Sequence, residues 1–388
     1  MNTSSVNMLH HTQEQGLALF NAAPKHSQHR QYHKDLSPLS WHLGHMAFIE
    51  TYWIREIIQN DKRETAHLHD FYLPERSPKT ERGKTLEAQT GLEHWARTLF
   101  AQNCQRLASL IEGHDPHPLL RDHYVLHFLI QHNAQHLETM RMVLQQQMLG
   151  EPHGHYKVAH PLEARPSATP QIHLSGGLIH LGHNNNAEAF DNELPHHPVD
   201  LKAFKIAAKP VSNGEFLGFI EANGYQEKCY WSDRGWQWQH VFRANSPEHW
   251  YQNKEGAWYA VGLGGPKDID TESAVMGINH FEAEAFAHYA KCRLPHEQEW
   301  EHAMVTNSDI AASTGESWEW CKNTFYPYPG YRPFPYERYS STWFDDQHFS
   351  LRGGSHHTEA MIKRASFRNF YSPDKRHIFA GLRLAQDA

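Results

Sequence analysis

Apolar and polar positions follow two different patterns along the 388 residues of this chain. From residue 9 to residue 149, apolar side chains recur every three or four positions, and Gly and Pro are sparse. This spacing places apolar side chains on one face of a helix. We therefore predict helices over residues 9–30, 37–59, 85–113 and 117–149. Four long helices joined by loops favour a four-helix bundle.

The second predicted helix has a well-marked start. Ser37 followed by Pro38 is typical of an N-cap with proline at the first helical position. Within this helix, Gly44 is expected to allow close approach of a neighbouring helix, because glycine has no Cβ. The polar, Pro-containing stretch 67–84 then predicts a long ordered loop before the third helix.

Beyond residue 149 the helical spacing is lost. Residues 150–172 are dominated by Pro, His and Gly, and we interpret them as a linker. From residue 173 to residue 388, short β-like runs alternate with turns, isolated helical stretches and aromatic, Gly-rich loops. The pattern predicts an α+β protein with a helical domain at 1–149, a linker at 150–172 and a loop-rich domain at 173–388.

Composition and charge disfavour several classes of protein. Hydrophobic residues make up 39% of the chain and include 12 Trp, 16 Tyr and 19 Phe, which argues for packed cores and against disorder. The net charge of −8, without a Lys/Arg run, offers no basis for nucleic-acid binding. Because there is no run of 18 apolar residues, no secretory pattern and no CxxC pair among the four Cys, we expect a cytoplasmic protein without a membrane partner.

The stretch "LIQHNAQHLETM" carries the first chemical signal. His132 and His136 lie four residues apart, so a helix places both imidazoles on one face together with Gln135. His45, in "WHLGH" of the second helix, offers a third imidazole, and His42 is the competing choice or a supporting group. The chain has 34 His, so a single His carries little information, whereas three that converge can bind a metal.

A site of three neutral imidazoles leaves coordination positions open for other ligands. Zinc hydrolases and iron oxygenases are both compatible with it, and the residues alone do not separate them. On their pattern alone, the later stretches "ESWEWCKNTF" and "SFRNFYSPDKRHIFAGLRLA" are interpreted as an aromatic wedge and as a packed pair of strands.

Segments of both halves resemble known families. The second half resembles the formylglycine-generating-enzyme-type domain, which has a C-type-lectin-like core, in "PVSNGEFLGFIEANGY", "YWSDRGWQW", "EAEAFAHYAKCRLPHEQEWEHA", "WEWCKNTFYPYPGY", "SLRGGS" and "FRNFYSPDKRHIFAGLRLA". The first half, in "SPLSWHLGHMAFIE" and "HNAQHLET", resembles a DinB-like four-helix bundle. The ordered pair, over about residues 10–388, resembles the ergothioneine-biosynthesis sulfoxide synthases, a family that includes the related selenoneine synthases.

The resemblance implies a cofactor and substrate contacts. It implies non-haem Fe(II) held by His45, His132 and His136. It also implies that Gln135 helps to hold the imidazole of hercynine, which is Nα-trimethylhistidine. Asn369 matches the Asn of the family's "RN" motif in the second domain and is implied to bind substrate.

The implied reaction joins the sulfur of a thiol to C2 of the hercynine imidazole, consumes O₂ and yields a sulfoxide. Dioxygen takes up four electrons, two from forming the C–S bond and two from oxidising the sulfur. Tyr336 or Tyr339, both in "PYERYS", is implied as the hydrogen-bond and proton donor beside the iron. The fixed cation of hercynine is expected to meet an aromatic face, for which Phe370 is a candidate.

Two positions depart from family members that use γ-glutamylcysteine. Those members carry an acid two residues after the Asn of "RN" and an Arg four residues beyond that acid, where this chain has Tyr371 and Lys375. The departure favours another donor, such as free cysteine, and keeps open the alternative of selenoneine synthesis from a selenosugar. Arg82 and Lys79 are candidates for holding the carboxylate or another anionic group of the donor.

Other functions remain as alternatives. A reaction on unmethylated histidine is disfavoured, because such proteins usually carry an extra methyltransferase domain. Formylglycine-generating chemistry is disfavoured, because Cys292 and Cys321 do not lie in the required motif. From a different class, the chain could be a catalytically silent lectin-like binding module whose helices only chelate metal. The predicted partners are small molecules: hercynine, a thiol or selenol donor, and O₂.

Overall fold

The computed structural model describes residues 3–82, 91–185 and 187–388. The chain divides into two compact units, Met1–Gly150 and Glu151–Ala388. The predicted start of the third helix, at residue 85, lies outside the described residues. Within the described ranges, no helix combines the length and the apolar character that crossing a bilayer requires.

The first unit is helical. Its α-helices are α1 (Thr3–Ala22), α2 (Leu39–Thr51), the short α3 (His69–Tyr72), α4 (Leu92–Glu112) and α5 (Tyr124–Leu149). Among these described helices, α1 packs mainly against α5, and α2 packs mainly against α4. Side chains such as Leu17, Phe48, Phe100 and Leu137 are buried between them. The apolar faces expected from the sequence therefore form one core.

Several predicted helix ends were wrong. The first helix ends at Ala22 rather than at residue 30, because Pro24 has no backbone N–H to donate and opens a short 3₁₀ turn. Pro38, and not Ser37, is the N-cap of α2. The last long helix begins at Tyr124 rather than at residue 117, because Asp122 and His123 have positive φ angles of 50° and 60°.

Two further features depart from a simple run of α-helices. After Thr51, helix α2 continues as a π-helix over Tyr52–Ile58, which shifts the register of the following side chains. The predicted loop 67–84 contains α3, preceded by a 3₁₀ turn at Ala66–Leu68. This short helix brings backbone carbonyls against α2, as described below for the candidate site.

A buried carboxyl group joins the four long helices. Glu50 of α2 is fully buried and accepts hydrogen bonds from the side-chain amides of Gln13 on α1, Asn133 on α5 and Asn103 on α4, at 2.8, 2.8 and 3.5 Å. Burial raises the pKa of Glu50 to about 8, although the three hydrogen bonds oppose that rise. At neutral pH the folded protein therefore keeps Glu50 protonated, whereas the unfolded chain ionises it.

Glu50→Gln is expected to remove one contribution to the pH dependence of stability. In the unfolded chain Glu50 titrates near its ordinary pKa of 4.5, so between that pH and about 8 unfolding releases a proton. The contribution of Glu50 to the free energy of unfolding should therefore fall over this range, at up to about 1.4 kcal/mol per pH unit, and Gln should remove this contribution while those of the buried histidines remain. Urea titrations at pH 5 and pH 8 measure the difference. Glu112→Gln, at an exposed position on α4, is the matched control, and equal slopes in wild type and Glu50→Gln would contradict the expectation.

The second unit mixes helices and short strands. Its described helices are α6 (Asn213–Glu221), α7 (Asp233–Phe242), α8 (His280–Tyr289), α9 (Glu297–Thr306) and α10 (Ser308–Ala312). Its described strands are β1 (Ile172–Leu174), β2 (Gly177–Leu181), β3 (His197–Leu201), β4 (Phe204–Ile206), β5 (Trp250–Gln252), β6 (Trp258–Gly262), β7 (Gly265–Lys267), β8 (Trp318–Thr324), β9 (Phe349–Arg352), β10 (Asn369–Tyr371), β11 (Ala380–Gly381) and β12 (Ala385–Asp387).

These strands form small sheets rather than one large one. A four-stranded sheet has the order β10-β9-β8-β11, and the other described strands form β1-β4-β12, β5-β6-β7 and the pair β2-β3. The predicted aromatic wedge is the central strand β8, in which Trp318 and Trp320 are both buried. Glu319 and Cys321, on the opposite face from the two tryptophans, are buried as well, so polar and apolar positions do not mark an exposed and a buried face, and the pattern did not predict a strand.

Buried ion pairs cross-link the C-terminal strands to α9 and β8. Arg368 donates two hydrogen bonds to the carboxylate of Glu297, at 2.8 and 2.7 Å. Arg383 does the same to Glu319, at 2.7 and 2.9 Å. All four side chains are almost fully buried, so removing one partner would leave a buried charge, at a cost of about 3–5 kcal/mol. These pairs hold Arg368, and with it the start of β10, in a defined position.

Residues 151–171, before β1 begins at Ile172, contain no helix or strand. Asp268 holds part of this segment, because its carboxylate accepts from the hydroxyl of Tyr156 and from the backbone N–H groups of Ala159 and His160, at 3.0, 3.2 and 2.8 Å. The backbone N–H of Arg165 donates to the carbonyl of Gly214. The segment is thus attached to the second unit.

Candidate active site

Three imidazoles converge inside the helical unit. His45 on α2 and His132 and His136 on α5 each offer a ring nitrogen, and these three atoms lie within 4.8 Å of one another. The Nε2 atoms of His45 and His132 are 3.2 Å apart. The four-residue spacing on α5 places both of its imidazoles on the face that meets α2, and Gln135 lies on α5 between them.

The tautomer of His45 is set by a backbone carbonyl. Its Nδ1 lies 2.7 Å from the carbonyl oxygen of Tyr72, so Nδ1 carries the hydrogen and donates it. In a neutral ring this leaves the lone pair of Nε2 directed towards His132. Such a carbonyl is a usual partner of a metal-binding histidine, because it fixes the ring orientation.

Burial keeps all of these rings neutral. It is the largest cause of the lowered pKa values, which fall to about 4 for His132 and well below the ordinary range for His45 and His136. Neutral imidazoles are good ligands for divalent cations, and three with nearby nitrogens leave further positions open. The donor set therefore fits a divalent transition metal.

His42 lies behind His136 and outside the three-histidine cluster. The Nδ1 atoms of the two rings are 2.9 Å apart, so one of them donates to the other. Burial lowers the pKa of His42 to about 3, which keeps this ring neutral as well. When Nδ1 of His136 is the donor, Nε2 of His136 keeps a lone pair that is available to a metal, and His42 takes the supporting position.

Trp41 and Arg82 cover the imidazole of His45. The indole of Trp41 stacks on this ring, with centroids 4.5 Å apart and planes inclined by 16°. The guanidinium carbon of Arg82 lies 3.8 Å from the centroid of Trp41, a cation–π contact. Burial lowers the pKa of Arg82 to about 10, so the group stays charged at neutral pH.

Arg82 also ties the loop to α2. Its guanidinium donates to the hydroxyl of Ser37 at 2.7 Å, to the carbonyl of Ser77 at 2.9 Å and to the carbonyl of Pro74 at 3.4 Å. Lys79, the other basic candidate, donates to the carbonyl of Asp35 at 2.8 Å. Binding of a donor by Arg82 stays a prediction.

Gly44 allows the predicted close approach of a neighbouring helix, and that helix is the short α3. A Cβ at this position would lie 2.3 Å from the hydroxyl oxygen of Tyr72. What approaches the glycine is thus a phenol ring from α3 and not the backbone of another long helix. The ring of Tyr72 also stacks with those of Trp95 and Phe48, with centroids 5.9 and 5.7 Å apart. Gly44 therefore lets α3 lie close enough for the Tyr72 carbonyl to reach His45.

The sequence did not point to Trp41 or Tyr72. Trp41 stands beside the histidines in "WHLGH", and the indole N–H donates to the carbonyl of Phe71 at 2.8 Å. Tyr72 acts through its backbone carbonyl, which every residue has, so no residue type could have indicated it. Adjacent carbonyls of α3 thus orient two rings of α2.

The two predicted tyrosines lie in the second unit, in residues 331–340, here called the tyrosine loop. Tyr336 is 45% exposed, and Tyr339 is half-buried. Their rings meet edge to face, with centroids 5.8 Å apart. The loop thus brings the two tyrosines together, and their role stays a prediction.

The other predicted residues of the second unit lie on and after β10. The Oδ1 atom of Asn369 accepts from the backbone N–H of Phe370 at 2.9 Å, and Phe370 stacks on Phe325 with centroids 4.2 Å apart. Tyr371 meets His377 edge to face at 6.3 Å. The ammonium of Lys375 lies 3.5 Å from a carboxylate oxygen of Asp374. Asn369, Phe370 and Tyr371 are thus neighbours on one strand, and their roles stay predictions.

Comparisons with known proteins agree with this architecture. The sulfatase-modifying factor enzyme 1-like domain family matches residues 157–309 and 306–388. The hercynine oxygenase of Mycobacterium tuberculosis is 31% identical over 417 aligned positions, which cover 92% of each chain. Ergothioneine biosynthesis protein 1 of Schizosaccharomyces pombe is 28% identical over 53% of this chain and 29% of its own length. The formylglycine-generating enzyme of Streptomyces coelicolor is 30% identical over 36% of this chain and 48% of its own length.

The similarity to the hercynine oxygenases extends over almost the whole chain, and the similarity to the formylglycine-generating enzyme covers about a third of it. The chain therefore belongs to the hercynine oxygenase family, and its second unit carries a sulfatase-modifying factor enzyme 1-like domain.

Proposed function

We propose that this protein is a non-haem iron(II), O₂-dependent sulfoxide synthase of ergothioneine biosynthesis. In this proposal it joins the sulfur of a thiol to C2 of the hercynine imidazole. The observation that carries the proposal is the cluster of His45, His132 and His136 in a chain of the hercynine oxygenase family. The relatives' names, hercynine oxygenase and ergothioneine biosynthesis protein 1, support the substrate and the role.

Different residues of this chain bind the metal, bind substrate and move protons. Iron(II) held by the three imidazoles would activate O₂, whose four-electron reduction draws its electrons from the two substrates. The carbonyl of Tyr72 keeps His45 in the tautomer whose Nε2 can bind metal. The amide of Gln135 holds the hercynine imidazole, and Asn369 and Phe370 also bind substrate. Tyr336 or Tyr339 holds the proton that is delivered during C–S bond formation.

We propose cysteine as the sulfur donor. Tyr371 and Lys375 replace the acid and the arginine that members using γ-glutamylcysteine carry, so a γ-glutamyl group would lose its partners here. Arg82 is proposed to attract the carboxylate of the donor, since it remains a cation at neutral pH. The same two replacements keep selenoneine synthesis from a selenosugar as the second candidate.

The domain assignment is proposed on similar grounds. We propose that residues 1–149 are a DinB-like four-helix bundle, and the pairwise packing of α1 with α5 and of α2 with α4 supports this. Residues 150–172 are proposed as the linker and residues 173–388 as the formylglycine-generating-enzyme-type domain, and the match beginning at residue 157 supports the latter. A cytoplasmic location is part of the proposal.

Anaerobic loading of the whole protein with iron(II), followed by hercynine, a donor and then O₂, tests the function. Cysteine, γ-glutamylcysteine and a selenosugar are compared as donors, and products are identified by mass spectrometry. We expect the hercynine–cysteine sulfoxide to form fastest. Reaction with γ-glutamylcysteine alone would overturn the donor assignment, and reaction with the selenosugar alone would establish the second candidate. An iron-loaded protein that forms no adduct with any donor would favour the silent binding module.

A further inference from the structure

We propose that residues 190–193, here called the anchor turn, hold the tyrosine loop in its working conformation, with Asp191 as the positioning residue for Tyr336 and Tyr339. The inference rests on the proposed function, in which one of these tyrosines moves a proton. No feature of "FDNE" at these positions distinguishes it in the sequence, and its importance comes from contacts between segments about 140 residues apart.

The carboxylate of Asp191 receives hydrogen bonds from both ends and the middle of the tyrosine loop. The hydroxyl of Tyr331 donates at 2.7 Å, the backbone N–H of Phe334 donates at 3.3 Å, and the hydroxyl of Ser340 donates to the other oxygen. Asp191 itself is 1% exposed. A single buried group thus closes the ten-residue segment that carries the predicted tyrosines.

The neighbours of Asp191 restrict Tyr339 further. The ring of Phe190 stacks on that of Tyr339, with centroids 4.8 Å apart and planes inclined by 15°. The amide of Asn192 donates to the hydroxyl of Ser340 at 3.0 Å. The anchor turn therefore holds Ser340, which follows Tyr339, and covers one face of the Tyr339 ring. Tyr336 in turn packs edge-on against Tyr339.

The anchor turn also contacts the segment that leads into β10. Arg368 donates to the carbonyl of Asn192 at 2.7 Å, and it directly precedes Asn369. The carboxylate of Glu193 accepts from the guanidinium of Arg364 and from the hydroxyl of Ser366, the latter at 2.7 Å. One four-residue turn thereby sets the position of the tyrosine loop and of the strand that begins with the proposed substrate-binding Asn369.

The energetics favour a rigid loop. A buried carboxylate is costly unless hydrogen bonds satisfy it, so each donor that the loop withdraws leaves Asp191 less well solvated. Burial raises the pKa of Asp191, and the hydrogen bonds from Ser340 and Tyr331 oppose that rise. Movement of the tyrosine loop away from the anchor turn is therefore disfavoured, and the tyrosine hydroxyls keep a defined position.

Asp191→Ala in the iron(II)-loaded full chain tests the proposal with two readouts. The first is limited trypsin digestion, because Arg338 lies inside the tyrosine loop while Pro333 blocks cleavage after Arg332. We expect cleavage after Arg338 to become about tenfold faster, since local opening of the loop no longer breaks hydrogen bonds to a buried carboxylate. The second is the product ratio, which should shift from sulfoxide towards oxidised donor, as we also expect for Tyr336→Phe or Tyr339→Phe, whichever removes the proton donor.

Asp268→Ala is the matched control. Asp268 also accepts from a tyrosine hydroxyl and backbone N–H groups in the same unit, but these belong to residues 156–160. Its loss should leave cleavage after Arg338 and the product ratio within twofold of wild type. If Asp268→Ala accelerates this cleavage as much as Asp191→Ala, the effect is general destabilisation and the proposal is overturned.

Tyr331→Phe keeps the test decisive if Asp191→Ala does not fold. It removes one donor to Asp191 and retains the edge contact of the ring with Phe344. It should raise the cleavage rate in the same direction by a smaller factor. Unchanged cleavage in folded Asp191→Ala and Tyr331→Phe would overturn the proposal. Faster cleavage in a protein that makes no hercynine adduct would uphold the anchoring and would instead contradict the proposed function.

Discussion

His132→Ala is expected to abolish stoichiometric iron(II) binding while the helical unit stays folded. The substitution removes one of three imidazoles whose nitrogens lie within 4.8 Å of one another. Loss of a group that only orients a ligand typically costs 10–100-fold in metal affinity, so loss of a ligand should cost at least about a hundredfold. Alanine is a strong helix former, so α5 should persist.

Iron content after anaerobic loading and desalting, together with far-UV circular dichroism, measures both parts of this expectation. His127→Ala is the matched control, because it makes the same substitution on the same helix outside the cluster. It should retain one iron per chain. Full iron content in His132→Ala would show that the metal, if bound, is held elsewhere.

Gly44→Ala is expected to weaken iron(II) binding without touching a ligand. The added Cβ would lie 2.3–2.5 Å from the hydroxyl oxygen and ring carbons of Tyr72. This ring cannot easily move, because Trp95 and Phe48 pack against it. We expect α3 to shift, which would move the Tyr72 carbonyl away from His45. The affinity should fall by about 10–100-fold, and overpacking should cost about 1–3 kcal/mol in the free energy of unfolding.

Gly16→Ala provides a close comparison. Gly16 also lies within a helix of the first unit, and the nearest atom to its added Cβ is the terminal methyl of Met46, at 2.9 Å, the end of a flexible side chain. This variant should bind iron normally. Adding Tyr72→Leu to Gly44→Ala should relieve the clash and recover part of the stability, as measured by a double-mutant cycle. Wild-type iron affinity in Gly44→Ala would contradict the role assigned to α3.

Residue types and their spacing predicted some residues of the candidate site but not others. His132, Gln135 and His136 carry their own signal, because a four-residue spacing implies one face once the helix is predicted. His45 became a candidate because it lies on a second amphipathic helix. By contrast, Tyr72 contributes a backbone carbonyl, and Asp191 is an ordinary acid in a turn, so neither has a local pattern.

For the fold, too, the sequence predicted some elements and missed others. The long helices α4 and α5 follow from apolar periodicity, which is a local property. The start of α5 depended on a backbone detail, the positive φ of Asp122 and His123. Strand β8 was not predicted because it is buried on both faces, and α7 was not assigned as a helix although Ser232 caps it.

By itself, the sequence determined that the chain has a helical half and a mixed half, that three histidines and two tyrosines are the candidates for chemistry, and which family they resemble. Only the tertiary structure decided that the three imidazoles meet, that α3 orients His45, and that the anchor turn closes the tyrosine loop. The physical reason is that periodicity and residue type act over a few positions. Hydrogen bonds to carbonyls and buried carboxylates depend instead on which distant segments the fold brings within about 3 Å.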